Sequence, residues 1–445
     1  MEQQDGYPLQ EYAQRSVLTT WKISYEQVKR QSEEASNLLQ LWSLLYAGDL
    51  WYELIACAKE LGAETSVPSW LTVLAQNRLK FDRALALLIK YSLVEGRTET
   101  ASYAMHSVLH SWCRYLGRSE AERDSFRDLA VYIVGGMVPS KSTEEYWILQ
   151  KRLLPHGQMI LNGMKSKTTA AIDVNETWVY EDLAGMFAAQ DRYMEAEAMY
   201  ERALAGREKA LGPEHTSTLM TVNNLGNLYA DQGRLAEAEQ MYKRALAGRE
   251  KALGAEHTDT LMTVNNLGML YSDQGKLAEA GQMYKRALAG KEKALSEEHT
   301  DTLGTVNNLG VLYKAQGKLA EAEHMYKRAL AGFEKALGAE HTSTLNTVNN
   351  LANLYSDQGK LAEAGQMYTR ALAGYEKALG PEHKSTIRLA QHLSTLRTVP
   401  TKSTCGDEVA DNKATVFECS NLRFSHDATS SSSPSTGPKL VSQVE

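Results

Sequence analysis

A repeat of 42 residues constrains this chain of 445 residues more than any other feature of its sequence. Asparagine pairs keep the period from Asn223-Asn224 to Asn349-Asn350, and histidines and tyrosines keep it as well. The histidines are His215, His257, His299, His341 and His383, and the tyrosines are Tyr200, Tyr242, Tyr284, Tyr326 and Tyr368. A fixed period of this length is typical of stacked repeats that pack only against their neighbours. The sequence therefore predicts a solenoid.

Each repeat contains two helical patterns separated by a glycine. In the copy that begins at His215, apolar residues fall at steps of three and four through Leu219, Val222 and Leu225, which gives one apolar stripe on a helix. Gly233 can end that helix, and RLAEAEQMYKRALAGREKAL then repeats the pattern. A breaker of the LGPEH type closes the unit before Thr and Ser residues that suit a helix N-cap. Each repeat is predicted to be a helical hairpin.

The repeats also set the predicted boundaries of the array. Residues 176–212 match a divergent first copy, and residues 383–397 match a first helix without its partner. We therefore expect five hairpins and a capping helix over 176–397, stacked because an isolated hairpin would leave its apolar stripes in water. The segment 398–445 is rich in Ser, Thr and Gly and lacks helical periodicity, so it is predicted to be disordered.

Composition narrows the classes of function. The formal net charge of -7 lacks the basic footprint of a nucleic-acid-binding protein. The first residues, MEQQDGYPLQEY, do not form a signal peptide, and no run of about 18 apolar residues follows. The four cysteines are widely spaced and form no CxxC motif, so the sequence predicts neither a disulfide framework nor a zinc knuckle. We expect a soluble cytoplasmic protein that binds no nucleic acid and no membrane.

The sequence predicts no catalytic residue, no metal site and no cofactor. Equivalent histidines of successive repeats would lie about 8–10 Å apart, the packing distance of helices, whereas zinc needs ligand nitrogens at about 2.0–2.1 Å. Glu237 and Glu239 are two residues apart, so they point away from each other on a helix. No GxSxG or HExxH motif is present. The chain is therefore predicted not to be an enzyme.

One face of the first helices is offset from the apolar stripe, and we expect it to be free to meet a ligand. Asparagine amides offer two donors and an acceptor, so they can bond the backbone of an extended peptide without selecting its side chains. The alternative is that the asparagines satisfy neighbouring helices, which is favoured for Asn224 more than for Asn223. The predicted peptide-binding residues are Met220, Asn223, Asn227, Met262, Asn265, Met269, Asn307, Val311, Asn346, Asn349 and Asn353.

Several of these spacings resemble the tetratricopeptide repeat. The matching positions are Leu225-Gly226, Tyr229, Ala238, Tyr242 and Ala245, and the 42-residue unit, with its VNNLGNLY and REKALGPEH segments, is similar to that of kinesin light chain. The resemblance implies a superhelical array that holds extended peptides of partner proteins in a concave groove. Kinesin light chains also carry a heptad coiled coil, and residues 1–175 show no sustained heptads, which argues against a cargo-adaptor role and leaves it as an alternative only.

The N-terminal region has a different pattern. Helical stripes cover 25–55 and 81–94, and a small β-hairpin is predicted from Val94 to Met105, followed by the helix HSVLHSWCRYLG. Residues 17–117 resemble the winged-helix segment of NLR-like STAND receptor ATPases (NB-ARC proteins), especially fungal ones with these repeats, through VLTTWKISYEQV, ALLIKYSLVEG, YAMHSVLHSW and the later RLLPHG. Residues 1–16 would be an extension and 118–175 a helical linker.

The family's nucleotide site has no counterpart in this sequence. The GxxxxGK[ST] loop that holds phosphates is absent, so His106, which occupies the place of the family's nucleotide-sensing histidine, is interpreted as a helix-start residue without a ligand. The resemblance thus implies a truncated NLR-like receptor, or an incomplete piece of a longer one. A regulatory subunit that joins a separate P-loop ATPase chain is a second alternative, and self-association is left open.

Overall fold

The computed structural model describes residues 12–59, 67–116, 119–140, 143, 146–164 and 177–398. Its described part is almost entirely helical and contains consecutive helical hairpins, which confirms the predicted all-α fold class with an α-solenoid. The disordered tail predicted after residue 398 lies outside the described residues, as does most of the extension 1–16. None of the described helices has the length and apolar character that crossing a membrane would require.

The chain divides into two compact units, with a boundary between Ala210 and Leu211. The predicted first hairpin therefore groups with the N-terminal part, and the predicted domain boundaries stay a prediction. The elements up to that boundary are α1 (Tyr12–Gln31), α2 (Glu33–Trp42), α3 (Tyr52–Ala56), α4 (Ser69–Gln76), α5 (Arg78–Lys90), β1 (Glu95–Arg97), β2 (Ser102–Ala104), α6 (Ser107–Cys113), α7 (Glu120–Gly136), α8 (Tyr146–Met164), α9 (Thr177–Ala189) and α10 (Tyr193–Leu211).

The N-terminal unit has a helical core around an aromatic cluster. The Trp42 side chain is fully buried, with its ring stacked on Tyr103 at a centroid distance of 6.0 Å and edge-on to Phe81 at 6.1 Å. Tyr103 lies on β2, which pairs antiparallel with β1 in a register that places Gly96 opposite Tyr103. The predicted β-hairpin and the helix that follows it are therefore confirmed as local structure.

The second unit contains four hairpins and one further helix. Its helices are α11 (Thr216–Asp231), α12 (Leu235–Leu253), α13 (Thr258–Asp273), α14 (Leu277–Ala294), α15 (Thr300–Ala315), α16 (Leu319–Leu337), α17 (Thr342–Asp357), α18 (Leu361–Leu379) and α19 (Lys384–Thr398). Each helix packs on the next along the chain, and first helices of neighbouring hairpins also contact each other directly. These neighbour contacts are the packing expected of a repeat solenoid.

Small residues allow the two helices of a hairpin to approach closely. A Cβ atom added at Gly226 would lie 2.7 Å from the ring of Tyr242, a buried residue of the second helix. Such a contact is too short for real atoms, so a larger residue here would require the tyrosine ring or the helices to shift. Ala238 is also fully buried, so a second small side chain lies in the packed interior of the hairpin.

The recurring histidines are the N-caps of the first helices. The Nδ1 atom of His215 accepts a hydrogen bond from the backbone N–H of Ser217 at 3.2 Å, and His341 accepts from Ser343 at 3.1 Å. The predicted capping by Thr or Ser is therefore wrong. The imidazole Nδ1 is as many bonds from the backbone as the Oδ1 of asparagine, so it reaches the same free N–H groups. Thr218 instead donates its hydroxyl to the carbonyl of Gly212 at 2.8 Å.

Candidate peptide-binding face of the first helices

The structure places the predicted binding residues on four adjacent first helices, α11, α13, α15 and α17. Met220, Met269 and Asn346 are partly exposed. The expectation that this whole face is free is therefore corrected, because neighbouring first helices touch and cover most of it. The buried members of the set are Asn223, Asn227, Met262, Asn265, Asn307, Val311, Asn349 and Asn353.

A ladder of asparagines joins successive first helices. The Nδ2 group of the second asparagine in a hairpin donates to the Oδ1 atom of the first asparagine in the preceding hairpin. The bonds run from Asn266 to Asn223 at 3.5 Å, from Asn308 to Asn265 at 3.4 Å and from Asn350 to Asn307 at 3.3 Å. These second asparagines thus satisfy the neighbouring helix, which agrees with the structural alternative for Asn224 and its equivalents.

A further amide position ties the first helix of a hairpin to its own second helix. The hydroxyl of Tyr242 donates to Oδ1 of Asn227 at 2.7 Å, and the hydroxyl of Tyr368 donates to Oδ1 of Asn353 at 2.5 Å. Asn346, on the partly exposed part of α17, accepts a hydrogen bond from the hydroxyl of Tyr375. The oxygen of each amide is therefore engaged inside its own hairpin.

Four of these amides retain a donor without a partner. The Nδ2 groups of Asn223, Asn227, Asn307 and Asn353 are buried and make no hydrogen bond to any described residue. Their Oδ1 atoms are all occupied, so the orientation of each amide leaves its N–H groups on the side without an acceptor. A buried donor without an acceptor costs about 1–3 kcal/mol. Native structures contain few such groups, and each one calls for a physical explanation.

The charge along this face is low. The positions equivalent to residue 230 are occupied by Ala230, Ser272, Lys314 and Ser356, of which only the lysine is charged. The Lys314 ammonium lies 2.9 Å from the carboxylate of Asp357 on the next first helix, and the lysine side chain is 11% exposed. This pair neutralises the single cation at these positions, so the face gives no electrostatic preference for an acidic or a basic ligand.

Other residue types that could carry chemistry have structural roles. The described part of the chain contains no group of three His, Cys, Asp or Glu side chains that could hold a metal ion. His106 is the N-cap of α6 and accepts from the N–H of Val108 at 3.3 Å, as expected for a helix-start histidine. Cys57 and Cys113 are buried, and burial raises the pKa of the Cys113 thiol to about 12. A thiol with so high a pKa stays protonated and unreactive at neutral pH.

Sequence reasoning missed a row of buried cations at the junctions between hairpins. Arg249 on α12 donates to the carbonyl of Asp259 and to the hydroxyl of Thr263 on α13, both at 2.8 Å. Lys291 occupies the equivalent position on α14, and burial lowers the pKa of its ammonium group to about 8. The signal was available in the sequence, because the same position holds Phe333 and Tyr375 in the next two copies. Exchange of a cation for an aromatic ring at a fixed repeat position indicates a buried site.

Comparison with protein-family models shows that the repeats are tetratricopeptide repeats. The match covers residues 174–251, 219–293, 301–377 and 343–397. This confirms the tetratricopeptide part of the resemblance drawn from the sequence. Proteins with such repeats typically mediate protein–protein interactions. No curated protein matches the chain.

Solved structures with similar folds include kinesin-light-chain-type repeat proteins. A putative kinesin light chain of Podosopora anserina with nearly identical TPR-like repeats is 27% identical, with a TM-score of 0.39, over 46% of this chain and 96% of that chain. BtubC (BKLC) from P. vanneervenii is 20% identical, with a TM-score of 0.39, over 65% and 99% of the two chains. A Rap protein, complexed with Competence and Sporulation Factor, is 16% identical, with a TM-score of 0.43, over 72% and 83%.

Proposed function

We propose that the tetratricopeptide array is a non-catalytic scaffold that holds an extended peptide segment of a partner protein along the first-helix asparagines. The observation that carries this proposal is the set of four buried amide donors without acceptors. An extended peptide backbone offers neutral carbonyl acceptors at regular intervals. Such acceptors would satisfy the donors without needing a charged ligand.

The asparagine ladder is weak enough to admit a ligand. Its bonds, with that from Asn266 to Asn227 included, are 3.2–3.5 Å long, whereas the commonest N–H···O distance is about 2.9–3.0 Å. Turning an amide toward a ligand carbonyl therefore sacrifices little hydrogen-bond energy. The partly exposed Met220, Met269 and Asn346 line the same face and would contact the peptide side chains first.

For the chain as a whole, we propose an NLR-like receptor or sensor that acts in the cytoplasm. The β-hairpin followed directly by α6, with His106 as its N-cap, supports the winged-helix part of this proposal. A regulatory subunit that binds a separate P-loop ATPase chain and a kinesin-type cargo adaptor are the alternatives. Co-purification with a nucleotide-binding chain would favour the first alternative, and co-purification with a kinesin heavy chain would favour the second.

The scaffold proposal is tested by peptide display on the full chain. The comparison protein carries Asn223→Ala, Asn265→Ala, Asn307→Ala and Asn349→Ala. We expect enriched peptides to bind the native chain and to bind this variant at least tenfold more weakly. The matched control removes three exposed amides from second helices through Gln240→Ala, Gln282→Ala and Gln366→Ala, and it should bind as the native chain does.

The buried asparagines also stabilise the array, so folding needs its own check. Circular dichroism and thermal melting should show that the comparison protein is folded at the binding temperature. A milder variant carries Asn223→Ala alone, which removes one of the four unpartnered donors and leaves the other three in place. Equal binding by the native chain and by every folded variant would exclude the asparagines as the peptide site.

A further inference from the structure

One junction of the array differs from the others in its backbone. Ser296 lies between α14 and α15 at a position where the other copies have glycine, and its φ is 122°. The equivalent Gly254 and Gly338 have φ values of 93° and 91°. Residues with a Cβ atom rarely adopt this region, so the serine is held in a strained conformation.

The strain persists because the shared linker imposes the glycine geometry. The hydroxyl of Thr302 donates to the carbonyl of Ser296 at 2.8 Å, just as Thr260 donates to Gly254 at 2.9 Å. The backbone N–H of His299 also approaches the Ser296 carbonyl, at 3.5 Å. The contacts from His299 and Thr302 thus fix the turn, and Ser296 adopts the backbone conformation that glycine has in the other copies.

The helix that leads into this turn is also distorted. Helix α14 ends at Ala294, whereas α12 ends at Leu253, which is one repeat position later. The N–H groups of Leu295 and Ser296 both point to the carbonyl of Lys291, at 2.8 Å and 3.4 Å. In the preceding hairpin, Gly254 closes a regular turn on Glu250 at 3.1 Å. The chain therefore leaves α14 through an i→i−5 bond from Ser296, where it leaves α12 through the i→i−4 bond of Gly254.

The side chain of the same lysine makes a weak tie across the junction. Lys291 is 1% exposed, and its ammonium group donates to the carbonyl of Asp301 at 3.2 Å and to the hydroxyl of Thr305 at 3.1 Å. No carboxylate among the described residues forms an ion pair with it. Arg249 makes the equivalent two bonds at 2.8 Å. A buried cation held only by neutral oxygens at longer distances is poorly compensated for its lost hydration.

We propose that the array bends at the junction between α14 and α15, and that this bend controls access of the partner peptide to the asparagines on either side of it. The proposal rests on the peptide-binding function proposed above. Asn308 on α15 and Asn265 on α13 face each other across this junction through a bond of 3.4 Å. A change of angle between the two hairpins therefore acts directly on the asparagine ladder.

The second helices stay connected while the junction bends. Arg328 on α16 pairs with Glu292 on α14 at 2.7 Å, and its guanidinium also lies 3.6 Å from Glu297. Arg286 and Glu250 form the corresponding pair at the preceding junction, at 2.5 Å. Because the ion pair of the outer helices is common to both junctions, it would act as a tether. The differences between the junctions lie at Lys291, at Ser296 and at Glu297, which replaces Ala255 of the preceding linker.

Hydrogen exchange on the full chain tests the proposal without a ligand. We expect backbone amides of 292–305 to exchange at least tenfold faster than those of 250–263 and 334–347, which occupy the same repeat positions. The variant Lys291→Arg with Ser296→Gly copies the preceding junction, so it should fold, and it should bring 292–305 back to the rate of the other two. Equal rates at all three junctions in the native chain would overturn the proposal.

A peptide obtained by display on the native chain then tests the coupling. We expect bound peptide to slow exchange at 292–305 more than at the other junctions, and we expect the double variant to change peptide affinity at least threefold. Fast exchange that the peptide leaves unchanged, with equal affinity for both proteins, would overturn the proposed control while peptide binding itself stands. If the asparagine variant loses binding but the peptide has no effect on exchange at 292–305, then the asparagines bind the peptide and the junction does not control that binding.

Discussion

One buried position of the repeat is occupied by a cation in two hairpins of the second unit and by an aromatic ring in the next two. At the junctions that follow α12 and α14, the buried position is a cation, Arg249 or Lys291, which donates to neutral oxygens of the next first helix. On α16 and α18, the same position is an aromatic ring, Phe333 or Tyr375. Burial of an apolar ring is favourable, at roughly 25 cal/mol per Å², whereas a buried cation first loses its hydration. The cation-containing half should therefore be the less stable half.

The surroundings of Phe333 and Tyr375 show how an aromatic ring packs at this repeat position. Phe333 is 1% exposed and packs in a cluster with Leu303, Val306 and Ala329. Tyr375 is 2% exposed, and its hydroxyl is used within its own hairpin by Asn346. The contacts described for both rings lie within their own hairpins, whereas Arg249 and Lys291 bond the first helix of the next hairpin.

The largest expected effect comes from removing an aromatic ring. Phe333→Ala should destabilise the chain by about 3–5 kcal/mol, because it deletes a fully buried ring and leaves a cavity. Urea denaturation followed by circular dichroism measures the change. The matched control, Phe187→Ala, removes a buried ring from α9 in the other unit, so separate transitions would show which unit each ring stabilises. A loss below about 1 kcal/mol for Phe333→Ala would remove the proposed contrast between the halves.

The second effect should have the opposite sign. Lys291→Met keeps the length of the side chain and removes the buried charge, so we expect it to stabilise the chain by about 1–4 kcal/mol. Urea denaturation at pH 7 measures the change. Lys293→Met is the control because Lys293 is exposed, and it should have almost no effect. Destabilisation by Lys291→Met would mean that the bonds to Asp301 and Thr305 outweigh the lost hydration.

The same substitution should change the response to alkaline pH. The pKa of Lys291 is lowered from 10.5 to about 8 by burial, so between about pH 8 and pH 10.5 the unfolded chain binds more protons at this residue than the folded chain does. Stability from this group is therefore complete above pH 10.5 and is lost as the pH falls through about 8. The native chain should gain stability relative to Lys291→Met when both are compared at pH 7 and pH 10.

The repeat made much of the fold predictable, because period and apolar spacing are local properties of the sequence. The helical hairpins and the small β-hairpin were visible as patterns. Burial of Asn223 was not, since it depends on how closely neighbouring first helices pack. The caps were misassigned because the helix begins at Thr216, one residue after His215, so Thr216 and Thr218 lie inside the helix and the histidine takes the N-cap position.

The smallest expected effect concerns a histidine cap in the aromatic half. Burial lowers the pKa of His341, and its Nδ1 atom must be unprotonated to accept from Ser343. The folded pKa lies below the unfolded value, so this contribution is present above about pH 6.5 and is lost as the pH falls through the lowered folded value. His341→Asn provides a cap that does not titrate, and at pH 8 it should leave stability within about 0.5 kcal/mol of the native chain.

Thermal melting between pH 8 and pH 5 distinguishes the two proteins. The native chain should lose more stability on acidification than His341→Asn, because protonation removes the acceptor and places a positive charge at the positive end of the α17 dipole. His257→Asn, in the cation-containing half, is the matched control at the same repeat position. Parallel pH profiles for the native chain and His341→Asn would show that protonation of this histidine does not weaken the cap, and the acid sensitivity would then belong to other groups.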